Sequence, residues 1–230
     1  MKKTKDRQLD EFVNNFLPII SSDKTFDLVT KEERKGYILL EFHLNVNFNI
    51  EWPEKFAVLD IETQGLSRGE SIFIAGILEQ INYLSVIRQY CAYTESREKG
   101  LIKWVNEQIK GKTIITYNGK AFDFPFLTSR AEYHNIHFEL PPKHIDVLHI
   151  TRRAFKDTFN SRKLKILEFN VLDQWREIDI NPAFIPYLIK KYRKTRDFSL
   201  LLILSRHNAY DLLSTLKLFE KAYEIISPSS

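Results

Sequence analysis

Residues 56–66 read FAVLDIETQGL. Its apolar run stops at Asp60, passes one residue and reaches Glu62 before a turn-like Gln64 and Gly65. On a strand, residues two apart share a face, so Asp60 and Glu62 project together. Two carboxylates that close raise each other's proton affinity unless a cation sits between them. A divalent cation such as Mg²⁺ or Mn²⁺ prefers oxygen ligands, so the pair makes a natural start to a metal site. A solvated acidic turn at a strand end is the plainer reading of the same two residues.

Further strands are expected downstream at 72–79 and 83–93, followed by a helix at about 96–109. A strand ending at Tyr117 comes next, then a helix from about Asp123. The segment HIDVLHITRRAF, from His144, begins near a strand end and continues as a helix. Helices are expected at 163–173, 183–194 and 198–225. Upstream, residues 40–50 alternate strictly: Leu40, Phe42, Leu44, Val46, Phe48 and Ile50 share one face of a strand, and His43 lies on the wet one. His43 therefore reads as a surface residue rather than a ligand. Residues 9–17 have helical spacing that Pro18 stops. Residues 1–50 read as an N-terminal extension of one helix and one strand, and 51–226 as the main domain.

A second carboxylate stands in TYNGKAFDFPFL, where Asn118-Gly119 turns the chain and Asp123 opens the next helix. An Asp there can be a helix cap, but the loop after a parallel strand is also where α/β sites are built. A third element is SRHNAYDLLSTLKLF, at 205–219. His207 and Asp211 are four apart and so share a helix face.

Taken together, DIETQGL, NGKAFDFPFL and HNAYD resemble the three motifs of the DEDD superfamily of 3′–5′ exonucleases. The chain is most similar to the YprB-like ribonuclease H-like family, and the resemblance covers roughly residues 52–222. HIDVLH, SRKLKILEF and AFIPYLIKKY resemble further elements of that family. The implied fold is α/β and ribonuclease H-like, a mixed central sheet flanked by helices, here with the N-terminal helix and strand added. The implied cofactors are two divalent cations, Mg²⁺ or Mn²⁺. Asp60 would bridge them, Glu62 and Asp211 would hold the ion that activates water, and Asp123 would hold the other. His207 would accept the proton. It stands four residues before Asp211, the spacing of the superfamily's tyrosine branch; the histidine branch uses five.

The resemblance also places Thr63, Gly65 and Leu66 against a terminal nucleotide, with Leu66 as a wedge against a base. Asn118 and Lys163 join them as substrate-binding candidates. Phe122 reads as core or as a base contact. Asp146 reads as a metal neighbour or as the group that orients Asn118 and a helix start. The implied activity is metal-dependent 3′–5′ exonucleolytic hydrolysis of DNA or RNA, acting on a single-stranded 3′ end. The alternative is a non-catalytic nucleic-acid-binding module that retains the fold.

Composition agrees with a nucleic-acid partner. The net charge is only +4, yet residues 151–196 hold twelve Lys/Arg against five Asp/Glu, which leaves the rest at −3. Such asymmetry suits a polyanion, or a solvated helix face. Within the window, Lys163, Lys190, Lys191, Arg193 and Lys194 are expected to contact phosphates. The single cysteine, Cys91, allows no intrachain disulfide and speaks against structural zinc. The N-terminal MKKTKDRQLDEF lacks the apolar core of a signal peptide, and no apolar run reaches membrane-span length. The expectation is a cytoplasmic protein with no membrane partner.

Overall fold

The computed structural model of the chain describes residues 15, 23–44, 46, 55–81, 84–156, 158–173, 176 and 180–227. Seven strands run in chain order: β1 (Phe26–Arg34), β2 (Tyr37–Leu44), β3 (Phe56–Thr63), β4 (Ile72–Ile81), β5 (Leu84–Ala92), β6 (Thr113–Thr116) and β7 (Lys143–Asp146). Among the described residues they are joined by the α-helices α1 (Glu98–Ile109), α2 (Asp123–Tyr133), α3 (Val147–Ala154), α4 (Leu164–Leu172), α5 (Ile185–Thr195) and α6 (Phe198–Ile226). One sheet takes all seven strands in the order β1-β2-β5-β4-β3-β6-β7. β3 pairs antiparallel with β4 and parallel with β6, and β6 pairs parallel with β7. The sheet is therefore mixed and flanked by helices, the architecture expected from the motifs.

Strand alternation sorts β3 between two cores. Ala57, Leu59 and Ile61 pack with α1 and α2 on one face. Val58 packs on the other face, with α6 and the helices behind it. Asp60 and Glu62 share the Val58 face by the two-residue period, so the carboxylates point toward α6. That helix starts at an Asp197 cap, whose Oδ1 accepts from Ser199 N–H at 3.0 Å. It runs under the sheet with most of its side chains buried. Polar residues in its middle turns therefore face protein rather than water.

The N-terminal region differs from its sequence reading. The expected strand begins earlier, at Tyr37, and ends at Leu44, with every second residue from Ile38 to Leu44 buried as the alternation requires. Residues 45 and 47–50 lie outside the described residues, as does the expected helix at 9–17 apart from Asn15. The sequence reading missed β1, an edge strand that is mostly exposed after Phe26. Its polar run has no period-2 apolar signal, and charged edges of this kind resist further strand pairing. The hairpin is tied to α6 by Asp23, whose Oδ2 accepts from Arg206 at 2.6 Å and from the Tyr210 hydroxyl at 3.0 Å.

Candidate active site

The parallel strands bring their C-terminal ends together. β3 delivers Asp60 and Glu62, the loop after β6 delivers Asn118 and Asp123, and β7 ends at Asp146. α6 passes beneath them and presents His207 and Asp211. His207 Nε2 lies 3.9 Å from Glu62 Oε1 and 3.7 Å from Asp211 Oδ2. One ligand atom from each of Glu62, His207 and Asp211 falls within 4.8 Å of the others, a spacing that can hold a metal ion. Asp60 adjoins this group. Burial pushes the Asp60 carboxyl well above the usual range, and the charges of Asp211, Glu62 and Asp123 push it further. Burial, Asp211 and Asp123 do the same to Glu62.

Asp123 is 3% exposed and opens α2. Burial raises its carboxyl to about 7, against the opposing effect of hydrogen bonds from the Ile61 and Asp123 backbone N–H groups. Its Oδ1 is buried with no hydrogen-bond partner among the described residues. Repelling buried acids, a carboxylate oxygen without a donor and a nearby imidazole form a donor set that fits a hard divalent cation.

Asp60 is held from behind. Asn208 donates to Asp60 Oδ2 at 2.7 Å and to its carbonyl at 3.2 Å. Asn208 Oδ1 accepts from Gln89 Nε2 at 2.8 Å, and the same amide donates to Ser205 O at 2.7 Å. The strand opposite makes room for this relay. Gly76 pairs with Asp60 across β3 and β4, and a Cβ at Gly76 would lie 2.0 Å from Asn208 Oδ1. Asp211 is held from another side. Arg176 Nη2 meets Asp211 Oδ1 at 2.5 Å while Arg176 Nε donates to Glu168 Oε1 and Oε2 at 2.9 and 2.8 Å.

The cluster sits between two clefts that share Asp60, His207 and Asp211. The larger, about 790 Å³, is also lined by Asn118, Lys163, Lys165 and Arg176. The smaller, about 210 Å³, is lined by Glu62, Thr63, Gly65, Leu66, Phe122 and Pro182 among others. The Thr63 hydroxyl donates to Gly65 O at 2.7 Å and shapes the turn, beyond which Leu66 is 87% exposed. Phe122 is half-buried and packs against the α1–α2 core, with its ring 5.5 Å from that of Phe126. Asn118 has a positive φ of 65°.

Asp146 organises the Asn118 loop and a helix start. Its Oδ1 accepts from Asn118 N–H at 2.8 Å and Leu148 N–H at 3.1 Å, and its Oδ2 from Lys120 N–H at 3.0 Å. Lys163 is exposed at the rim of the larger cleft. Arg193 departs from its expected role. Its side chain turns inward, bonding Gln64 Oε1 and, at 3.0 Å, Ser71 Oγ. It braces the loop between β3 and β4 rather than offering a phosphate contact.

Sequence reading missed Gln89, Asn208, Glu168 and Arg176. Asn208 and Gln89 had a usable signal, a polar residue interrupting an otherwise apolar buried element. Glu168 stood within a segment noted only for its family pattern. Arg176 lies outside any helix or strand and had no periodic signal at all.

Comparisons with known proteins agree with this fold. A family model described as RNase_H superfamily matches residues 57–223. The uncharacterized protein YprB of Bacillus subtilis is 29% identical over 70% of this chain and 40% of its own length. A DNA polymerase of Methanocaldococcus jannaschii is 32% identical over 41% of this chain and 8% of its own. The chain thus spans well under half of these relatives. The solved family B DNA polymerase of the hyperthermophilic archaeon Pyrobaculum calidifontis matches with a TM-score of 0.56. That match covers 85% of this chain and 28% of the polymerase at 17% identity, a likeness of fold.

Proposed function

This chain belongs to the RNase_H superfamily, and we propose that within it the protein is a metal-dependent 3′–5′ exonuclease acting on DNA or RNA. The observation that carries the reading is the convergence of Asp60, Glu62, Asp211 and His207 where two clefts meet, with the buried Asp123 close enough to repel Asp60. Carboxylates crowded together in a protein interior cost stability, and such clusters mark functional sites when a cleft reaches them. Two divalent cations, Mg²⁺ or Mn²⁺, would supply an activated nucleophile and stabilise the leaving oxygen. Asp60, Glu62, Asp123 and Asp211 would hold them.

The chain's own groups divide the remaining work. His207 takes the proton of the attacking water, a role an imidazole can fill. The terminal nucleotide enters the smaller cleft, where Thr63 and Gly65 shape the turn and Leu66 presents an exposed apolar side chain to a base. Lys163 and Asn118, in the larger cleft, face the phosphate backbone of a single strand. Among the described residues no helix is long and apolar enough to cross a membrane. A cytoplasmic enzyme working on soluble nucleic acid is the reading we adopt, with residues 1–50 as an extension of the 51–226 domain.

The alternative, a binding module without hydrolysis, draws support from Arg176, which already gives Asp211 a cationic partner. End-labelled single- and double-stranded DNA and RNA, incubated with Mg²⁺ or Mn²⁺ and with EDTA, separate the two. Stepwise shortening from the 3′ end that needs metal and is lost in Asp60→Ala is expected. Binding without shortening under every metal condition would establish the module instead.

A further inference from the structure

The contact between Arg176 and Asp211 has two opposite readings. A guanidinium on a carboxylate that should serve a cation can be the cation's competitor. It can also be the group that aims the carboxylate. The local chemistry separates them.

Arg176 does not present a free charge to the site. Burial would lower its proton affinity, but the carboxylates of Asp211 and Glu168 outweigh that and keep it charged. Its Nε engages both oxygens of Glu168 at 2.9 and 2.8 Å, and Nη2 reaches Glu168 Oε1 as well. Glu168 is itself buried on α4. The two residues thus form a neutral pair, fixed in the fork geometry that only Arg provides. Against Asp211 the pair uses one oxygen, Oδ1. The other, Oδ2, is turned toward His207 Nε2 at 3.7 Å, the side on which Glu62 also stands. The Asp211 side chain keeps 21% of its surface, so access from the clefts stays open.

We infer that Glu168 and Arg176 are positioning residues, a charge-neutral pair that fixes Asp211 Oδ1 so that Oδ2 is presented to a divalent cation. The inference rests on the metal-site reading of the proposed function. It follows the general pattern in which outer hydrogen-bond partners orient a ligating carboxylate, and their loss weakens metal affinity about 10–100-fold.

The test is calorimetric titration of the full chain with Mn²⁺ alone, which reads affinity without turnover. Arg176→Met is expected to bind Mn²⁺ about 10–100-fold more weakly than wild type. Arg176→Lys keeps the charge but loses the fork, so it too should bind more weakly. Removing one member of a buried ionic group can unfold a protein. The double variant Arg176→Met/Glu168→Met therefore removes both charges together, and it should fold and still bind weakly. Tighter or unchanged Mn²⁺ binding in the folded variants would overturn the inference and make Arg176 a competitor or a bystander, leaving the metal site itself in place. Wild-type protein that binds Mn²⁺ no better than Asp60→Ala would bring down the metal-site reading, and this inference with it.

Discussion

Two groups of acids stand at this end of the sheet, and they have opposite characters. Glu98, at the start of α1, is fully enclosed and fully satisfied. It accepts from Ile72 N–H at 2.8 Å, from Arg130 at 2.9 and 2.6 Å, and pairs with His134 at 2.7 Å. Burial alone would raise its carboxyl, but these donors outweigh burial and hold it below the usual range. Glu62 and Asp123 are buried and Asp60 is half-buried, but the three carboxyls repel one another, and all three are raised. Burial of an acid therefore does not mark a site. Acids whose burial and mutual repulsion outweigh their donors do. Glu98 serves the site indirectly, because Arg130 also bonds Gly69 O and so anchors the loop that carries Leu66.

Substitutions should break this contrast with opposite signs. Glu98→Ala strands Arg130 and His134 and should cost about 3–5 kcal/mol, the usual loss when a buried pair is split. At about 2–4 °C per kcal/mol for a chain of this size, chemical or thermal melting will resolve it easily. Asp123→Asn removes one repelling charge and should instead raise the melting temperature of metal-free protein. If both variants destabilise alike, the two clusters do not differ as described.

Activity gives the next effect. His207→Ala should lower turnover about 10²–10⁴-fold, the range for a positioned base, with Mn²⁺ affinity nearly kept. His207→Tyr, which matches the spacing of the tyrosine branch, should restore part of that loss. Loss of metal binding together with turnover would make His207 a ligand.

The pH dependence sharpens the comparison further. Asp123 has a folded-state value of about 7 against an ordinary 3.8. The folded chain thus holds this proton longer than the unfolded chain does. Its favourable contribution is complete below pH ~4 and is lost as pH rises through about 7. Metal-free protein should melt higher at pH 5 than at pH 8, with Glu98→Ala retaining the trend and Asp123→Asn flattening it. A melting temperature independent of pH over this range would remove the electrostatic case.

The smallest effect belongs to the basic rim. Neutralising Lys163 should reduce the slope of log affinity against log salt by no more than about one counterion. Arg193→Ala should instead act through the Gln64–Ser71 bonds, loosening the loop with little change in that slope. Equal slope changes in the two variants would return Arg193 to the phosphate contacts.

Much of this was legible in the sequence because it follows local rules. The two-residue period of a strand put Asp60 and Glu62 on one face, and the i, i+4 spacing put His207 and Asp211 on one helix face. The order of strands and helices was legible for the same reason, since long apolar periods mark β3 to β5 and α6. What escaped depends on distant partners. β1 carries no apolar alternation because it is an exposed edge. Arg193 looked like one more residue in a basic run, and only the folded loop supplies Gln64 and Ser71 to it. Arg176 lies outside any helix or strand and acquires meaning from Glu168, eight residues earlier on α4, and from Asp211 on α6.

The central claim is that the cluster of mutually repelling acids is built for divalent cations. Its most direct test is the melting temperature of metal-free wild type and of Asp60→Ala during titration with Mn²⁺. The account predicts a rise in wild type that grows by mass action, about 2.7 kcal/mol at a hundredfold excess over Kd, and a flat response in Asp60→Ala. An equal rise in both, or none in either, would contradict it.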